Sequence, residues 1–329
     1  MMNKIICLGI ESTAHTFGVG IVDDSGKIHA NVKDVFTTEK GGLIPLDVAK
    51  HHKEVYQKVI DEALIKAEIK LKDVTLIAFS QAPGLAPSLL VGRDVAKKLS
   101  DDLKIPIIGV NHCISHLEIG RLLTKAKDPV LLYASGANTQ IIAYEGGRYR
   151  IFGETVDIGV GNFLDTFARH LGLGFPGGPK IEQLALKGKD LVELPYNVKG
   201  MDVAFSGIVT KLQQLFDSKK FSTEDLAFSA QETAFAMLVE VSERAMAHTD
   251  KRELLIGGGV GCNKRLQEMC TIMCKERGGE FFAPPNEYLT DNAAMISWTG
   301  ILMHKSGVKT ENLDILPNQR TDQVEVTWR

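Results

Sequence analysis

Short apolar runs separated by polar turns open the chain. The runs at 5–11, 17–22 and 27–35 each have the length of a strand, and small polar residues lie between them. The turn at 23–26, Asp-Asp-Ser-Gly, has a sequence typical of a hairpin. We therefore predict three consecutive antiparallel strands at the start of the chain.

The same arrangement returns near the middle of the chain. Strand-length apolar runs lie at 130–134, 140–144 and 148–154, and a small polar turn at 135–139 separates the first two. Because strands joined by short turns pair antiparallel, each half should begin with the same three-stranded unit. This approximate repeat predicts two structurally related halves.

Each half then continues with a later strand, a turn rich in glycine or proline, and a helix. This order is typical of α/β proteins. The predicted strand, turn and helix lie at 75–80, 82–87 and 88–102 in the first half and at 253–256, 257–261 and 263–278 in the second.

Helical periodicity is clearest over 46–70, where Val48, Val55, Val59, Ala63 and Ala67 fall near one face. A strand at 107–110 precedes the next helical segment. Further helices are predicted over 111–124, 161–171, 179–187, 206–216, 222–248 and 290–305.

Two such halves predict an α/β fold in which two lobes face each other across a central cleft. This is the layout of the actin, sugar-kinase and Hsp70 ATPase class (ASKHA), in which a hairpin turn of each lobe faces the phosphates of a nucleotide. We place an N-terminal lobe at 1–128 and a C-terminal lobe with a helical insertion at 129–289. A helix and tail at 290–329 should pack back on the first lobe.

Composition narrows the class of protein. The 329 residues are 44% hydrophobic and 24% charged, as in ordinary globular proteins, and the net charge of −3 argues against a generally basic, nucleic-acid-binding surface. Five scattered cysteines fit reduced thiols, and Cys113, Cys270 and Cys274 are expected in the core. No apolar run is long enough to span a bilayer, so we expect a cytoplasmic protein without membrane association.

Two histidines four residues apart, His112 and His116, are the first candidates for chemistry. On a helix both imidazoles can reach one metal ion, although histidines at this spacing also occur as partners of carbonyls or surface groups. Tyr133 ends a predicted strand and Asp291 heads the last predicted helix, at points expected to face the cleft. Two imidazoles, a phenolate and a carboxylate suit iron or zinc, and the tyrosine favours iron.

Small polar and glycine-rich segments are the candidates for holding a nucleotide. The turn at 135–139 can present backbone N–H groups to a phosphate, although ordinary hairpin turns share its sequence features. Asp165 and Glu182 flank a glycine-rich loop at 172–178, and carboxylates in such places often bind ribose hydroxyls or are simply solvated. Asn263 follows the glycines of the second half and either caps the next helix or binds adenine. Neither a P-loop nor a dinucleotide-binding fingerprint occurs.

Eight motifs carry a resemblance over essentially the whole chain. They lie at 9–16, 83–87, 111–116, 133–139, 171–179, 257–263, 290–293 and 320–329. Together they resemble the universal tRNA threonylcarbamoyladenosine transferase family (TsaD/YgjD), in the archaeal and eukaryal branch that is found in the KEOPS complex.

The resemblance implies an ASKHA fold and transfer of a threonylcarbamoyl group from threonylcarbamoyl-AMP to N6 of adenosine 37 in tRNAs that read ANN codons. It implies one iron ion per subunit, or zinc in its place, and an adenine nucleotide, either threonylcarbamoyl-AMP or ATP. The implied partners are tRNA and separate kinase-like, dimerising and regulatory subunits of a KEOPS-type complex.

The resemblance also implies the site residues. The implied metal ligands are His112, His116, Tyr133 and Asp291. The implied nucleotide-binding positions are Tyr133, Ala134, Ser135, Gly136, Ala137, Asp165, Gly178, Glu182 and Asn263. Ala137 stands where the family usually has glycine, and no serine or cysteine has a neighbouring base that would make it a covalent nucleophile.

Three other functions stay open on the sequence. A small-molecule kinase of the same fold would need a carboxylate base for its substrate. A metalloprotease is an older label for the family, but Cys113 occupies the place of the glutamate in the H-E-x-x-H motif. A non-enzymatic ATP-binding scaffold is compatible with the mildly negative charge.

Overall fold

The structure is a computed structural model that describes residues 4–38 and 44–329. Its first half contains one five-stranded mixed sheet. The strands of this sheet are β1 (Ile6–Glu11), β2 (Thr16–Asp23), β3 (Ile28–Val35), β4 (Leu76–Ala82) and β5 (Ile107–Asn111).

A second five-stranded sheet and a short two-stranded ribbon lie in the second half. Their strands are β6 (Val130–Ala134), β7 (Thr139–Glu145), β8 (Arg148–Glu154), β9 (Val198–Lys199), β10 (Asp202–Val203), β11 (Glu253–Gly257) and β12 (Glu280–Phe282).

The two large sheets have the same topology, with strand orders β3-β2-β1-β4-β5 and β8-β7-β6-β11-β12. In each, the central strand pairs antiparallel with the next strand in sequence and parallel with a later one. Cys7 lies opposite Leu76 in the first parallel pair, and Val130 lies opposite Leu254 in the second. The predicted internal repeat and two-lobed α/β layout are thus confirmed.

Helices cover both sheets. They are α1 (Pro45–Ala67), α2 (Ala86–Leu103), α3 (His112–Leu123), α4 (Val160–His170), α5 (Gly178–Ala185), α6 (Ser206–Asp217), α7 (Thr223–Thr249), α8 (Lys264–Glu276), α9 (Asn286–Leu289) and α10 (Ala293–Lys305). Within the described part of the chain, none of these helices combines the length and the apolar character that a membrane crossing needs.

The apolar patterns of the sequence correspond to buried faces. Val48 of α1 is buried. Val59, Ala63 and Ala67 of the same helix are buried against the first sheet, and Val55 is half-buried beside them. The three cysteines expected in the core, Cys113, Cys270 and Cys274, are buried as well.

The predicted helix over 290–305 is wrong in its first turn. Helix α10 begins at Ala293, because the side chain of Asn292 accepts a hydrogen bond from Met295 N at 3.0 Å and caps the helix there. Asp291 therefore lies in the link between α9 and α10. Strand β12 and the ribbon β9–β10 were not predicted, because two or three residues are too few to show a period.

Helix α10 packs closely on the first sheet because two strand glycines give it room. A Cβ on Gly20 would lie 2.4 Å from the backbone of Ala293 and Ala294, and one on Gly9 would lie 2.5 Å from Ser297. The chain after α10 contacts both lobes. Thr310 Oγ1 accepts a hydrogen bond from Gly109 N of β5 at 2.9 Å, and Arg320 donates one to Glu154 of β8. The lobe boundaries at 128/129 and 289/290 stay predictions.

Candidate active site

Strand β5 and helix α3 together position the two histidines. The side chain of Asn111, the last residue of β5, accepts hydrogen bonds from Cys113 N at 3.0 Å and Ile114 N at 3.3 Å. This cap starts the helix at His112, so that His112 and His116 lie on one face in its first two turns. Both side chains are buried.

The link before α10 brings Asp291 to the same place. Asp291 Oδ1 lies 3.3 Å from His112 Nε2 and 3.6 Å from His116 Nε2, and candidate ligand atoms of the three residues lie within 4.8 Å of one another. Tyr133 OH, at the end of β6, lies 3.1 Å from His112 Nε2. The structure therefore gathers all four predicted metal ligands at one point.

His116 shows that this cluster fits a metal ion. Both of its ring nitrogens are buried, and neither has a hydrogen-bond partner among the residues that the structure describes. A buried polar atom without a partner costs about 1–3 kcal/mol. An imidazole nitrogen that faces a carboxylate and a phenol in this way is satisfied when all of them bind one cation.

Glu11 contacts the candidate ligand His112, although it is not among the site residues predicted from the sequence. Its buried carboxylate lies with Oε2 2.9 Å from His112 Nδ1, while Oε1 accepts hydrogen bonds from Thr13 N at 2.7 Å and from the Thr13 hydroxyl. Because Glu11 engages Nδ1, Nε2 of His112 is the nitrogen that faces Asp291 and Tyr133. A glutamate ending an otherwise apolar strand is the signal that could have revealed it.

The charges of the cluster favour ionised Asp291. Burial would raise the pKa of Asp291, but the hydrogen bond and charge of His112 hold that pKa well below 3.8. Burial would lower the pKa of His112, but the charge of Glu11 and the hydrogen bond and charge of Asp291 outweigh it and raise the pKa well above 6.5. Burial lowers the pKa of His116, so this imidazole is neutral at pH 7 and has a lone pair to offer.

Lys33 on the edge strand β3 fixes the Asp291 link. Its Nζ donates to Asp291 O at 3.0 Å and to Thr290 Oγ1 at 2.7 Å. A lysine on an edge strand usually has a solvated side chain, so no sequence signal distinguishes this one.

Three glycine-rich segments meet around the predicted phosphate turn. The carbonyls of Ser135 and Gly136 accept hydrogen bonds from the first turn of α4, each at 3.0 Å. A Cβ on Gly159 would lie 2.3 Å from Gly136 O, and one on Gly258, where φ is +88°, would lie 2.3 Å from Ala134 O. Only glycine lets these backbones approach so closely.

This turn keeps part of its hydrogen-bonding capacity free. Ser135 N donates to Asn138 O at 3.0 Å, so this predicted phosphate donor is used within the turn. In contrast, the N–H groups of Gly136 and Ala137 donate to no acceptor within the described chain, and both residues are exposed. They are the donors that a phosphate would meet.

The two predicted ribose-binding carboxylates also organise the nearby backbone. Asp165 Oδ1 accepts from Gly177 N at 2.7 Å and Gly178 N at 3.3 Å, and Glu182 Oε1 accepts from Lys264 N at 3.0 Å. Burial raises the pKa of Asp165. The second oxygen of each carboxylate has no donor among the described residues, so it is available to a ligand.

Asn263 caps α8, one of the two roles considered for it. Its Oδ1 accepts from Arg265 N at 2.9 Å and Leu266 N at 3.2 Å, and its Nδ2 donates to Gln231 Oε1 at 2.9 Å. One amide hydrogen is left for an adenine. The side chain that is predicted to bind adenine is therefore already held in place by these hydrogen bonds.

The two lobes meet near these groups. The ring of His15, in the turn between β1 and β2, lies edge-on to Phe175 of the glycine-rich loop, with 5.7 Å between the ring centroids. This contact joins the turn between β1 and β2 to the loop whose glycines donate to Asp165.

Comparison with known proteins gives a consistent result. A family model described as "TsaD: tRNA N6-adenosine threonylcarbamoyltransferase" matches residues 27–298. A tRNA N6-adenosine threonylcarbamoyltransferase of Thermococcus kodakarensis is 54% identical over 98% of this chain and 100% of its own length. A probable bifunctional tRNA threonylcarbamoyladenosine biosynthesis protein of Methanocaldococcus jannaschii is 52% identical over 98% of this chain and 60% of its own length.

Solved structures that resemble the chain share its fold. HypF of T. kodakarensis aligns with a TM-score of 0.67 at 13% identity, covering 95% of this chain and 49% of HypF. Component A of the Acidaminococcus fermentans (R)-2-hydroxyglutaryl-CoA dehydratase aligns with a TM-score of 0.57 at 14% identity, covering 91% and 97%. These similarities confirm the ASKHA fold, and the family match with its 54% identical relative shows that the chain belongs to the TsaD family of tRNA N6-adenosine threonylcarbamoyltransferases.

Proposed function

We propose that this chain transfers the threonylcarbamoyl group of threonylcarbamoyl-AMP to N6 of adenosine 37 in tRNAs that read ANN codons, as the catalytic subunit of a KEOPS-type complex. The observation that carries the proposal is the convergence of His112, His116, Asp291 and Tyr133 in a chain of this family. The free N–H groups of Gly136 and Ala137 add a place for the adenylate phosphate.

The metal would be one iron ion, with zinc as the alternative, held by His112, His116, Tyr133 and Asp291. When bound, it supplies a Lewis acid for a carbonyl of the threonylcarbamoyl group. Glu11 would keep His112 Nε2 turned toward the site, and Lys33 would keep the Asp291 link in place.

The adenylate would lie along the second lobe. Residues 133–137 would border its phosphate, and the unused carboxylate oxygens of Asp165 and Glu182 would accept hydrogen bonds from the ribose hydroxyls. Gly178 begins α5, where the absence of a side chain lets the sugar approach the backbone. Asn263 would offer its remaining amide hydrogen to the adenine.

In the reaction, the N6 amine of adenosine attacks the carbamoyl carbon, the bond from that carbon to the phosphate oxygen breaks, and AMP leaves with a proton released from N6. The N–H groups of Gly136 and Ala137 would stabilise the charge that develops on the departing phosphate. The target base must leave its stack to reach the cleft, which costs little in an anticodon loop.

Partner chains would supply much of the tRNA affinity. The net charge of −3 leaves the chain without a general attraction to nucleic acid. We therefore propose a cytoplasmic complex with separate kinase-like, dimerising and regulatory subunits. The M. jannaschii relative is named bifunctional, and this chain covers 60% of it.

The decisive experiment is tRNA modification with threonine, bicarbonate, ATP and an enzyme that forms threonylcarbamoyl-AMP, with and without the candidate partner subunits. We expect the modified nucleoside with the wild-type chain and its loss with His116→Ala. His170→Ala is the matched control. His170 is partly exposed, contacts Asp217, and is far in sequence from the four candidate metal ligands. Failure with every partner present would favour a nucleotide-binding scaffold.

A further inference from the structure

Glu118 is a buried carboxylate that the proposed reaction does not use. It lies in α3, two residues after His116, and only 1% of it is exposed. At 100° per residue, its side chain leaves the helix about 200° away from that of His116. Glu118 therefore faces away from the metal ligands, and its burial needs another explanation.

Three donors from three parts of the chain surround this carboxylate. Oε1 accepts hydrogen bonds from the Tyr149 hydroxyl of β8 and from Trp328 Nε1 at 2.8 Å, and Oε2 accepts from Arg121 Nη1 at 2.7 Å. A buried carboxylate is costly unless it is paired and fully hydrogen-bonded, and here both oxygens are engaged. Helix α3, the second sheet and the C-terminal segment thus meet at one buried group.

Arg329 strengthens this junction of α3, the second sheet and the C-terminal segment. Its guanidinium lies 4.5 Å from the centroid of the Tyr144 ring and donates to the Tyr149 hydroxyl at 3.3 Å. It also donates to Lys127 O and to Asp128 Oδ1, each at 3.0 Å. The end of the chain is thereby tied to the segment that joins the two lobes.

The apolar contacts of the junction include a candidate metal ligand. Trp328 packs against the core between α10 and the first sheet, and also against a cluster that contains Leu117, Tyr133 and Tyr149. Tyr133 is a proposed ligand on β6, and Tyr149 lies two strands away in the same sheet. A rotation of α3 would move His112 and His116 relative to Tyr133, and metal sites tolerate displacements of only about 0.5 Å.

We propose that Glu118, Tyr149 and Trp328 are positioning residues, a clamp that holds α3 in the orientation at which both histidines face Asp291 and Tyr133. This inference rests on the proposed metal centre. A buried carboxylate fixes orientation more strictly than apolar packing does, because its hydrogen bonds are directional. The clamp contacts none of the reacting atoms and acts through the helix.

Cobalt(II) binding to the full chain tests the clamp, because the visible spectrum of Co²⁺ reports ligand geometry as well as affinity. Trp328→Phe keeps an aromatic ring but loses the pyrrole part of the indole together with its N–H donor, whereas Tyr149→Phe removes only the hydroxyl. We expect each to weaken Co²⁺ binding about tenfold, at the lower end of the range for indirect metal-site contacts, and to alter the spectrum. Glu118→Gln is a stronger change, and the two milder variants decide the matter if it does not fold.

Arg320→Gln is the matched control. Arg320 belongs to the same C-terminal segment and donates to Glu154 of β8 at 2.9 Å, so the variant removes a tie between the same two elements that does not involve Glu118. Its Co²⁺ affinity and spectrum should equal those of the wild type. Clamp variants that lower the melting temperature yet keep the wild-type affinity and spectrum would overturn the clamp alone, whereas a wild-type chain that binds no Co²⁺ would overturn the metal centre and the clamp together.

Discussion

At the residue scale, the site depends on side chains that hold other side chains. Glu11 holds His112, Lys33 holds the backbone of Asp291, and Asn111 starts the helix that carries both histidines. The sequence predicted the four candidate ligands, because their motifs resemble those of a known family. It did not identify Lys33, because a lysine on an edge strand gives no signal. It did not identify Glu11, because a glutamate at the end of an apolar strand does not show which side chain it will contact.

Glu11→Gln tests the support of His112. The amide can still accept a hydrogen bond from Nδ1, but it lacks the negative charge that makes the imidazole a better ligand. We expect Zn²⁺ affinity to fall about tenfold or more, in the range found for such indirect contacts, as measured by competition with a chelating dye. Glu62→Gln, an exposed change on α1, should bind Zn²⁺ like the wild type, and equal affinities in both variants would refute the role of Glu11.

His52 makes the stability of the first lobe depend on pH. This fully buried imidazole lies with Nε2 2.9 Å from Ala14 O, and burial lowers its pKa to about 4. Between pH 6.5 and 4 the unfolded chain binds a proton that the folded chain does not, so acidification lowers the free energy of unfolding, by up to about 3 kcal/mol from this group.

His52→Gln should remove this contribution while keeping a donor for Ala14 O. Urea unfolding at pH 7 and pH 4.5 would measure it: the wild type should lose more stability than the variant between the two values. An equal loss in both proteins would contradict the assignment.

At the element scale, close packing of backbone on backbone shapes the phosphate turn. The turn after β6 rests on the first residues of α4 and on the glycines that follow β11. The sequence indicated glycine-rich turns at both places. The sequence could not show that the turn after β6 touches the glycines after β11. About 120 residues separate these two segments, and contact between distant segments has no local signature.

Gly258→Ala should disrupt this arrangement. The new methyl group would lie 2.3 Å from Ala134 O, and the φ of +88° disfavours any side chain. We expect AMP binding, measured by calorimetry, to weaken at least tenfold, together with a lower melting temperature.

Gly259→Ala provides the comparison for this prediction. A Cβ on Gly259 meets nothing within 4 Å, and its φ is not in the left-handed region. This neighbouring variant should keep AMP affinity close to that of the wild type. Equal binding by the two variants would show that the close contact at Ala134 does not shape the nucleotide site.

At the scale of the whole molecule, the candidate metal centre lies where several parts of the chain meet. Strand β5 leads into α3, β6 belongs to the second sheet, and Asp291 precedes a helix that packs on the first sheet. An ion held by these groups would therefore tie both lobes together. Its removal should affect the stability of the entire chain.

Metal removal tests this expectation. A ligand that binds only the folded state at one hundred times its dissociation constant stabilises by about 2.7 kcal/mol. Adding a chelator to the metal-loaded wild type should therefore lower its melting temperature by several degrees. His116→Ala should already melt at the lower temperature and respond little, and His170→Ala should behave like the wild type. A chelator-insensitive wild type would count against the metal centre.

The sequence by itself determined the repeated α/β halves, most helices and strands, the glycine-rich turns and the four candidate ligands, because period, turn chemistry and motif order are local properties. The tertiary structure alone decided that Glu11 and Lys33 support the candidate ligands, and that a buried glutamate joins α3 to the second sheet and the C-terminal segment. These facts depend on contacts between residues far apart in the chain. Such contacts are set by how the lobes pack, which no local pattern encodes.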